Sequence, residues 1–365
     1  DISFSTVRDF ENWYSNKTKM VSRKNGILEE KSIANIWLES PSRRQYQSVV
    51  FDPSMKEIPG CYNLYRGLGV VAKRGSWKLM KRHIEEIICN GDDESFHYLL
   101  AWMARIVQDP GGERPGVVPT LRGVPGVGKG IFVNNFGMIF GSHYIHLTSP
   151  NLLAGRFNSH FKDKLFVFAD ETFWRGDKRA EGMLKGLITE NYIHVEAKGK
   201  DAFAINNHVN IIIASNNNWV VPASEKERRF FVLDVSESKL CDAAYFAKLS
   251  LEMNNGGREA MLYDLLHLDI SGVNLRTFPR RRALMDQIIA SWPPEKLFWY
   301  ETLQAGCLGN PTTLTDPWPV SIGSKELYGL YCSFANNIGV REKVSEDSFG
   351  KSFKNICPDR VRKQN

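Results

Sequence analysis

The chain has 365 residues, 42% of them hydrophobic and 12% aromatic, which argues for a globular protein with a real core and room for two or three domains. Its net charge of +6 is compatible with a polyanionic partner without demonstrating one. Six scattered cysteines with no C-x-x-C pair suggest neither a zinc site nor a disulfide framework, and there is no signal peptide and no apolar run of membrane-spanning length. Basic residues cluster at Lys73, Arg74, Lys78, Lys81 and Arg82, at Arg276, Arg280, Arg281 and Arg282, and between Lys351 and Lys363; by default each cluster is a solvated face. The first residue is Asp1 rather than methionine, so an upstream part is expected to be missing.

From Asp1 to about Arg44 the chain is polar, and Ile33, Ile36 and Trp37 at helical spacing predict helix. Val49, Val50 and Phe51 read as a strand within otherwise irregular sequence. Ser76 opens a helix with Trp77, Met80, Ile84, Ile87 and Ile88 on one face, ending near Asn90-Gly91. A second helix follows Asp92 and Asp93 as cap candidates and aligns Leu99, Trp102, Met103 and Ile106. These stripes are packing surfaces, and His83 and His97 read as structural. The Pro/Gly-rich stretch from Pro110 to Pro119 reads as a linker. The expected division is therefore a mainly helical domain over 1–112, a nucleotide-binding core over 113–240 and a mostly helical region over 241–365.

The core opens on a phosphate-binding loop. A short apolar strand at Val117 and Val118 leads to Gly123, Val124, Pro125, Gly126, Val127, Gly128, Lys129, Gly130 and Ile131, in the spacing G-x-x-x-x-G-K, and a helix follows. Glycines let backbone N–H groups turn toward phosphate oxygens, Lys129 meets the β- and γ-phosphates, and the helix directs its positive end at the same charge. The residue after the lysine ordinarily supplies a hydroxyl to Mg²⁺, and here it is Gly130.

Strand and helix signals then alternate, predicting an α/β core with a mainly parallel sheet. Tyr144 to Leu147 reads as a strand, and Leu165 to Phe168 is an unbroken apolar run ending in Asp170-Glu171. At about 40 residues after the loop, such a pair has a specific job in nucleotide hydrolases. Asp170 would orient the water shell of Mg²⁺, and Glu171 would polarise the attacking water. Tyr192 to Glu196 and Ala202 to Ile205 can pair across a turn holding Lys198, Gly199 and Lys200, which is equally an ordinary basic turn or a phosphate contact. Asn210 to Ala214 is another buried strand, and Asn216 at its end could hold the attacking water or sense the γ-phosphate. Arg228 and Arg229, just before the strand Phe230 to Leu233, are either surface charges or an arginine finger for a neighbouring subunit.

In this order, the four motifs resemble those of superfamily-3 helicases, ring-forming AAA+ motors of viruses, phages and plasmids. G-V-P-G-V-G-K-G (Gly123 to Gly130) matches Walker A, L-F-V-F-A-D-E (Leu165 to Glu171) Walker B, V-E-A-K-G-K (Val195 to Lys200) the hairpin motif, and I-I-I-A-S-N (Ile211 to Asn216) motif C. The resemblance implies ATP and Mg²⁺ as cofactors, Lys198 and Lys200 as contacts to single-stranded DNA, Asn216 as sensor, Arg228 or Arg229 as finger, and a homo-oligomeric, hexameric ring. Y-N-L-Y-R-G (Tyr62 to Gly67), the stretch from Tyr98 to Pro110 and the C-terminal region widen it to phage primase-helicases, including deep-sea vent phage primase-polymerases. That likeness implies an upstream primase-polymerase domain in the same polypeptide, action in the host cytoplasm and no membrane partner. No acidic polymerase triad is identified within these residues, so synthesis is not expected of them.

Beyond Val235 the chain reads as helical, and helices at Ser324 to Ala335 and Ser348 to Ile356 fit a helix-turn-helix or winged-helix module as well as a helical cap. Two other functions stay open. G-x-P-G-x-G-K-G also resembles adenylate kinase, a reading that ADP formation on adding AMP would decide. A nucleotide-bound DNA-binding ring that hydrolyses poorly is the other.

Overall fold

The computed structural model describes residues 5–22, 26–171, 178–196, 198, 201–217, 219–308, 318–319, 321–340 and 342–357. At its centre five strands, Val118–Arg122, Tyr144–Leu147, Phe166–Asp170, Asn210–Ser215 and Phe230–Asp234, form a parallel sheet. Across the sheet, the last of these in sequence comes first, followed by the first, fourth, third and second. The strand Asn210–Ser215 is buried along its whole length, as its unbroken apolar run requires of a strand covered on both faces. Its register sets Ser215 opposite Arg122 on one side and Ala214 opposite Asp170 on the other, so three strand ends finish level.

The helix Lys129–Met138 lies on this sheet through Phe132 and Phe136, and Phe140 follows it into the same layer. Phe136 meets the Phe166 ring edge-on at 5.0 Å, and Phe140 stacks on it at 5.3 Å. The helix Asp93–Gln108 brings Trp102 against Phe136, with its indole N–H donating to the Val117 carbonyl at 2.8 Å. Asp92 caps that helix by accepting from the backbone N–H groups of Glu94 and Ser95. Arg122, at the end of its strand, donates to Asp234 at 2.8 Å and to Asp286 at 2.9 Å, tying the sheet to the helix Arg282–Ala290.

Packing runs through both expected domain boundaries. Residues from Tyr65 to Ile288 share one hydrophobic cluster, while Phe298, Tyr331, Ala335, Phe349 and Phe353 form a second. The second joins the helices Pro294–Ala305, Ser324–Asn337 and Glu346–Ile356, with Tyr331 stacked on Phe349 at 4.7 Å. Among the described residues no strand follows Asp234, so no wing is present there.

The expectation of a helical N-terminal stretch is corrected. The helix Ile33–Glu39 is present, but Thr18–Ser22 and Leu28–Ser32 pair as an antiparallel hairpin, and Ser48–Val50 pairs parallel with Cys61–Asn63. The hairpin is exposed along one strand and partly so along the other, so cross-strand bonding rather than burial holds it.

Candidate functional site

Because all five strands are parallel, their carboxyl ends share one edge, where α/β sheets place their ligands. The strand Val118–Arg122 rises into the expected phosphate loop at that edge. Gly126 and Gly128 have φ values of +88° and +94°, in the left-handed region that side chains disfavour. A β-carbon at Gly128 would meet Phe246 Cε1 at 2.6 Å, and one at Gly126 would meet Cys241 Sγ at 3.0 Å. Gly128 is therefore needed for space as well as for conformation, and Gly126 for conformation, with a tight contact to Cys241 besides. The helix Lys129–Met138 starts directly after them, aiming its unpaired N–H groups at the loop.

Lys129 is buried, and its ammonium donates to the carbonyls of Gly123 and Val124, the latter at 3.1 Å, and to Asn216 Oδ1 at 2.7 Å. Burial pushes this amine below its ordinary range, while the carboxylates of Glu171 and Asp170 pull it back. Glu171 has φ +52° and sits just past the strand Phe166–Asp170, its N–H donating to the Ala214 carbonyl of the adjacent strand at 3.0 Å. Its carboxylate accepts from the Asn216 N–H at 2.5 Å, from Ser215 Oγ at 3.0 Å and from Asn217 Nδ2 at 3.4 Å. Lys129, Asn216 and Glu171 thus form a continuous hydrogen-bonded chain. The fourth strand makes it by lying between the strands that carry the loop and the acidic pair.

Asp170 leaves a third of its side chain open and lies 3.5 Å from His146 Nε2, whose ring stacks on Phe168 at 4.4 Å. Among the described residues no group of three or more His, Cys, Asp or Glu could hold a metal. A single accessible carboxylate nevertheless suits hydrated Mg²⁺, which takes one or two carboxylates and completes its shell with water and substrate oxygens. Gly130 supplies no hydroxyl, and the space around it is open: an added β-carbon would find only Asn134 Nδ2, at 3.8 Å.

Arg228, Arg229 and the base of the hairpin that leads to Lys198 lie at the amino edge. Tyr192–Val195 pairs antiparallel with Phe203–Asn206, and Asn207 anchors the hairpin by donating to the carbonyls of Leu187 at 2.8 Å and Glu190 at 2.9 Å. Lys198 is exposed at the tip; Lys200 lies outside the described residues. Arg228 is exposed, and Arg229 donates to the buried Glu227 at 3.5 Å. Both line a cavity of about 520 Å³ with Arg114, Arg276, Tyr192 and Asn207. A five-residue strand separates them from the loop edge, roughly 15 Å. The structure therefore does not bring Arg228 or Arg229 to the phosphate loop of their own chain.

A family model described as a family of unknown function, DUF5906, matches residues 121–229, the span from the phosphate-loop strand to these arginines. The DNA primase-polymerase of Nitratiruptor phage NrS-1 is 31% identical over 148 residues. The chain resembles a phage replication protein. That match takes in 39% of this chain and 20% of the phage protein, so the chain spans a small part of its relative's length. An apo structure of the NrS-1 C-terminal region, residues 305–718, shares the fold with a TM-score of 0.63 at 16% identity, covering 98% of this chain and 94% of that one. A second apo structure of that region gives 0.62 at 19% identity, covering 79% and 75%. Among the described residues no helix is long and apolar enough to cross a membrane.

Sequence reasoning missed Ser215 and Asn217, whose bonds to Glu171 depend on strand adjacency; the polar run after the strand was the available signal. It also missed His146, because a histidine on an edge strand carries no local mark. His83 was read as structural, and it is fully buried, yet its ring touches the phosphate loop.

Proposed function

We propose that this chain is the ATP-hydrolysing, DNA-translocating part of a phage replication protein, acting as a ring of identical subunits, with six as the expected number. The observation that carries the reading is the link from Lys129 through Asn216 to Glu171 at the carboxyl edge, with Lys129 2.7 Å from Asn216 Oδ1 and Glu171 2.5 Å from the Asn216 N–H. A lysine for phosphate, a carboxylate for the attacking water and a polar residue joined to both are what triphosphate cleavage needs in one place.

In this reading the loop N–H groups and Lys129 hold the β- and γ-phosphates, and Glu171 accepts the proton of the attacking water. Asn216 bonds to both, so a γ-phosphate drawing on Lys129 alters the hold on Glu171. Asp170 would hold Mg²⁺ through water, and the ion when bound neutralises phosphate charge. Both arginines are remote from their own loop; Arg228 is exposed and would serve only a neighbour's nucleotide, in keeping with a ring, whereas Arg229 would first have to leave Glu227. Lys198 and Lys200 would meet single-stranded DNA. By likeness to the NrS-1 protein, a primase-polymerase domain would precede this chain in one polypeptide within the host cytoplasm.

The test is ATP turnover with and without single-stranded DNA, alongside particle mass in solution. DNA-stimulated turnover by a ring, abolished in Lys129→Ala, is expected; an unsubstituted chain that binds no nucleotide overturns the reading. The three donors on Glu171, together with Gly130, favour one alternative: a ring that binds nucleotide and turns it over slowly. Intact binding with background turnover, unchanged by DNA, would select it.

A further inference from the structure

Two segments from outside the sheet meet at the phosphate loop. One is the helix Lys78–Arg82 with its wider-wound continuation His83–Ile88, in which the Cys89 N–H reaches back five residues to the Ile84 carbonyl at 2.8 Å. The other is the helix Ala243–Glu252, capped by Asp242. His83, fully buried where the winding changes, stands between them and the loop.

Its hydrogen bonds fix its tautomer. Nε2 lies 3.2 Å from the Gly128 carbonyl, which only accepts, so Nε2 carries the proton. Nδ1 lies 3.1 Å from the Tyr245 hydroxyl, which must then donate. Burial pushes the imidazole down to about 4, so the ring is neutral near pH 7 and its partners alone choose the tautomer.

The Gly128 carbonyl also accepts from the Phe132 N–H at 3.3 Å, so it points along the helix. In a trans peptide the following N–H points the opposite way. The Lys129 N–H therefore leaves the helix N-terminus, in the direction from which a phosphate is bound. We propose that His83, held in its Nε2–H form by Tyr245, is a positioning residue for phosphate binding: it grips the Gly128 carbonyl and thereby aims the Lys129 N–H at the nucleotide. This rests on the nucleotide reading above. It adds that segments on both sides of the core in sequence set the loop's affinity, so a movement of either helix reaches the nucleotide through one imidazole.

The test measures binding of a fluorescent ATP analogue with Mg²⁺ to the full chain. His83→Leu removes the donor and is expected to weaken binding about five- to tenfold, the worth of one positioned hydrogen bond. His83→Gln offers an amide donor at the same reach and is expected to restore affinity to within about twofold, which a merely space-filling role would not produce. Tyr245→Phe frees the tautomer and should weaken binding about threefold. A folded His83→Leu that binds like the unsubstituted chain overturns the proposal. If that variant does not fold, near-normal affinity in His83→Gln with loss in Tyr245→Phe supports it, and any other pattern overturns it. Absence of binding in the unsubstituted chain is a separate result, which removes the nucleotide reading itself and this inference with it.

Discussion

Replacing Gly128 by alanine tests the loop's geometry without reference to any ligand. Its φ of +94° and ψ of 13° place it where a β-carbon costs about 1–2 kcal/mol. The added carbon would also stand 2.6 Å from His83 Cε1, 2.6 Å from Phe246 Cε1 and 2.8 Å from His83 Nε2, all ring atoms of side chains packed on the loop. Overpacking of this kind costs about 1–3 kcal/mol. Together the two effects take about 2–5 kcal/mol from a total of about 5–15 kcal/mol. Urea unfolding followed by circular dichroism should show a lower midpoint, with the slope checked for a change in cooperativity. Gly130→Ala is the internal control. It lies inside the helix without a positive φ, its nearest contact would be Asn134 Nδ2 at 3.8 Å, and alanine there should gain about 0.5–1 kcal/mol. Equal midpoints for Gly128→Ala and the unsubstituted chain, or equal losses at both positions, would refute the reasoning.

Four further outcomes are expected. Glu171→Gln keeps an oxygen for the Asn216 N–H, so nucleotide binding should survive while turnover falls by roughly 100-fold or more; an unchanged rate removes its role as base. Gly130→Ser fits the open space there and supplies the missing hydroxyl, so half-maximal turnover should need several-fold less Mg²⁺ in a metal titration. Lys198→Ala combined with Lys200→Ala should weaken single-strand affinity and lower the slope of log affinity against log salt by about 1–2; an identical slope would put the contact elsewhere. Hydrogen bonding to Arg281 holds the Asp92 carboxyl down to about 2, from 3.8. With the folded value below the unfolded one, this stabilisation is complete above pH 4 and lost as pH falls toward 2. Asp92→Asn, which still caps the helix, should show a shallower fall in unfolding midpoint between pH 5 and pH 2.

The sheet was largely legible because its strands are buried on both faces, and unbroken runs such as Asn210–Ser215 have few alternatives. The hairpin Thr18–Ser32 was not, since its exposed residues leave no apolar alternation to read. Strand order also lies beyond any local pattern. Asp170, Glu171 and Asn216 each stood out at a strand end, but their meeting depends on the fourth strand entering between the first and third. The helical stripe from Met80 to Ile88 was visible, yet the wider winding that begins at His83 leaves no trace in apolar spacing. The expected boundaries near 112 and 240 followed composition, whereas burial joins both flanks to the sheet through residues such as Trp102 and Met261.

The strand Asn210–Ser215 continues at its amino end, through His208 and Asn207, into the basic hairpin, and at its carboxyl end into Asn216. Six extended residues span about 20 Å, and a peptide hydrogen-bonded to neighbours on both sides has no slack to take up. In the function proposed above, a displacement at Asn216 would be handed along this strand to Asn207 at the base of the hairpin, much as a connecting rod carries a stroke from cylinder to crank.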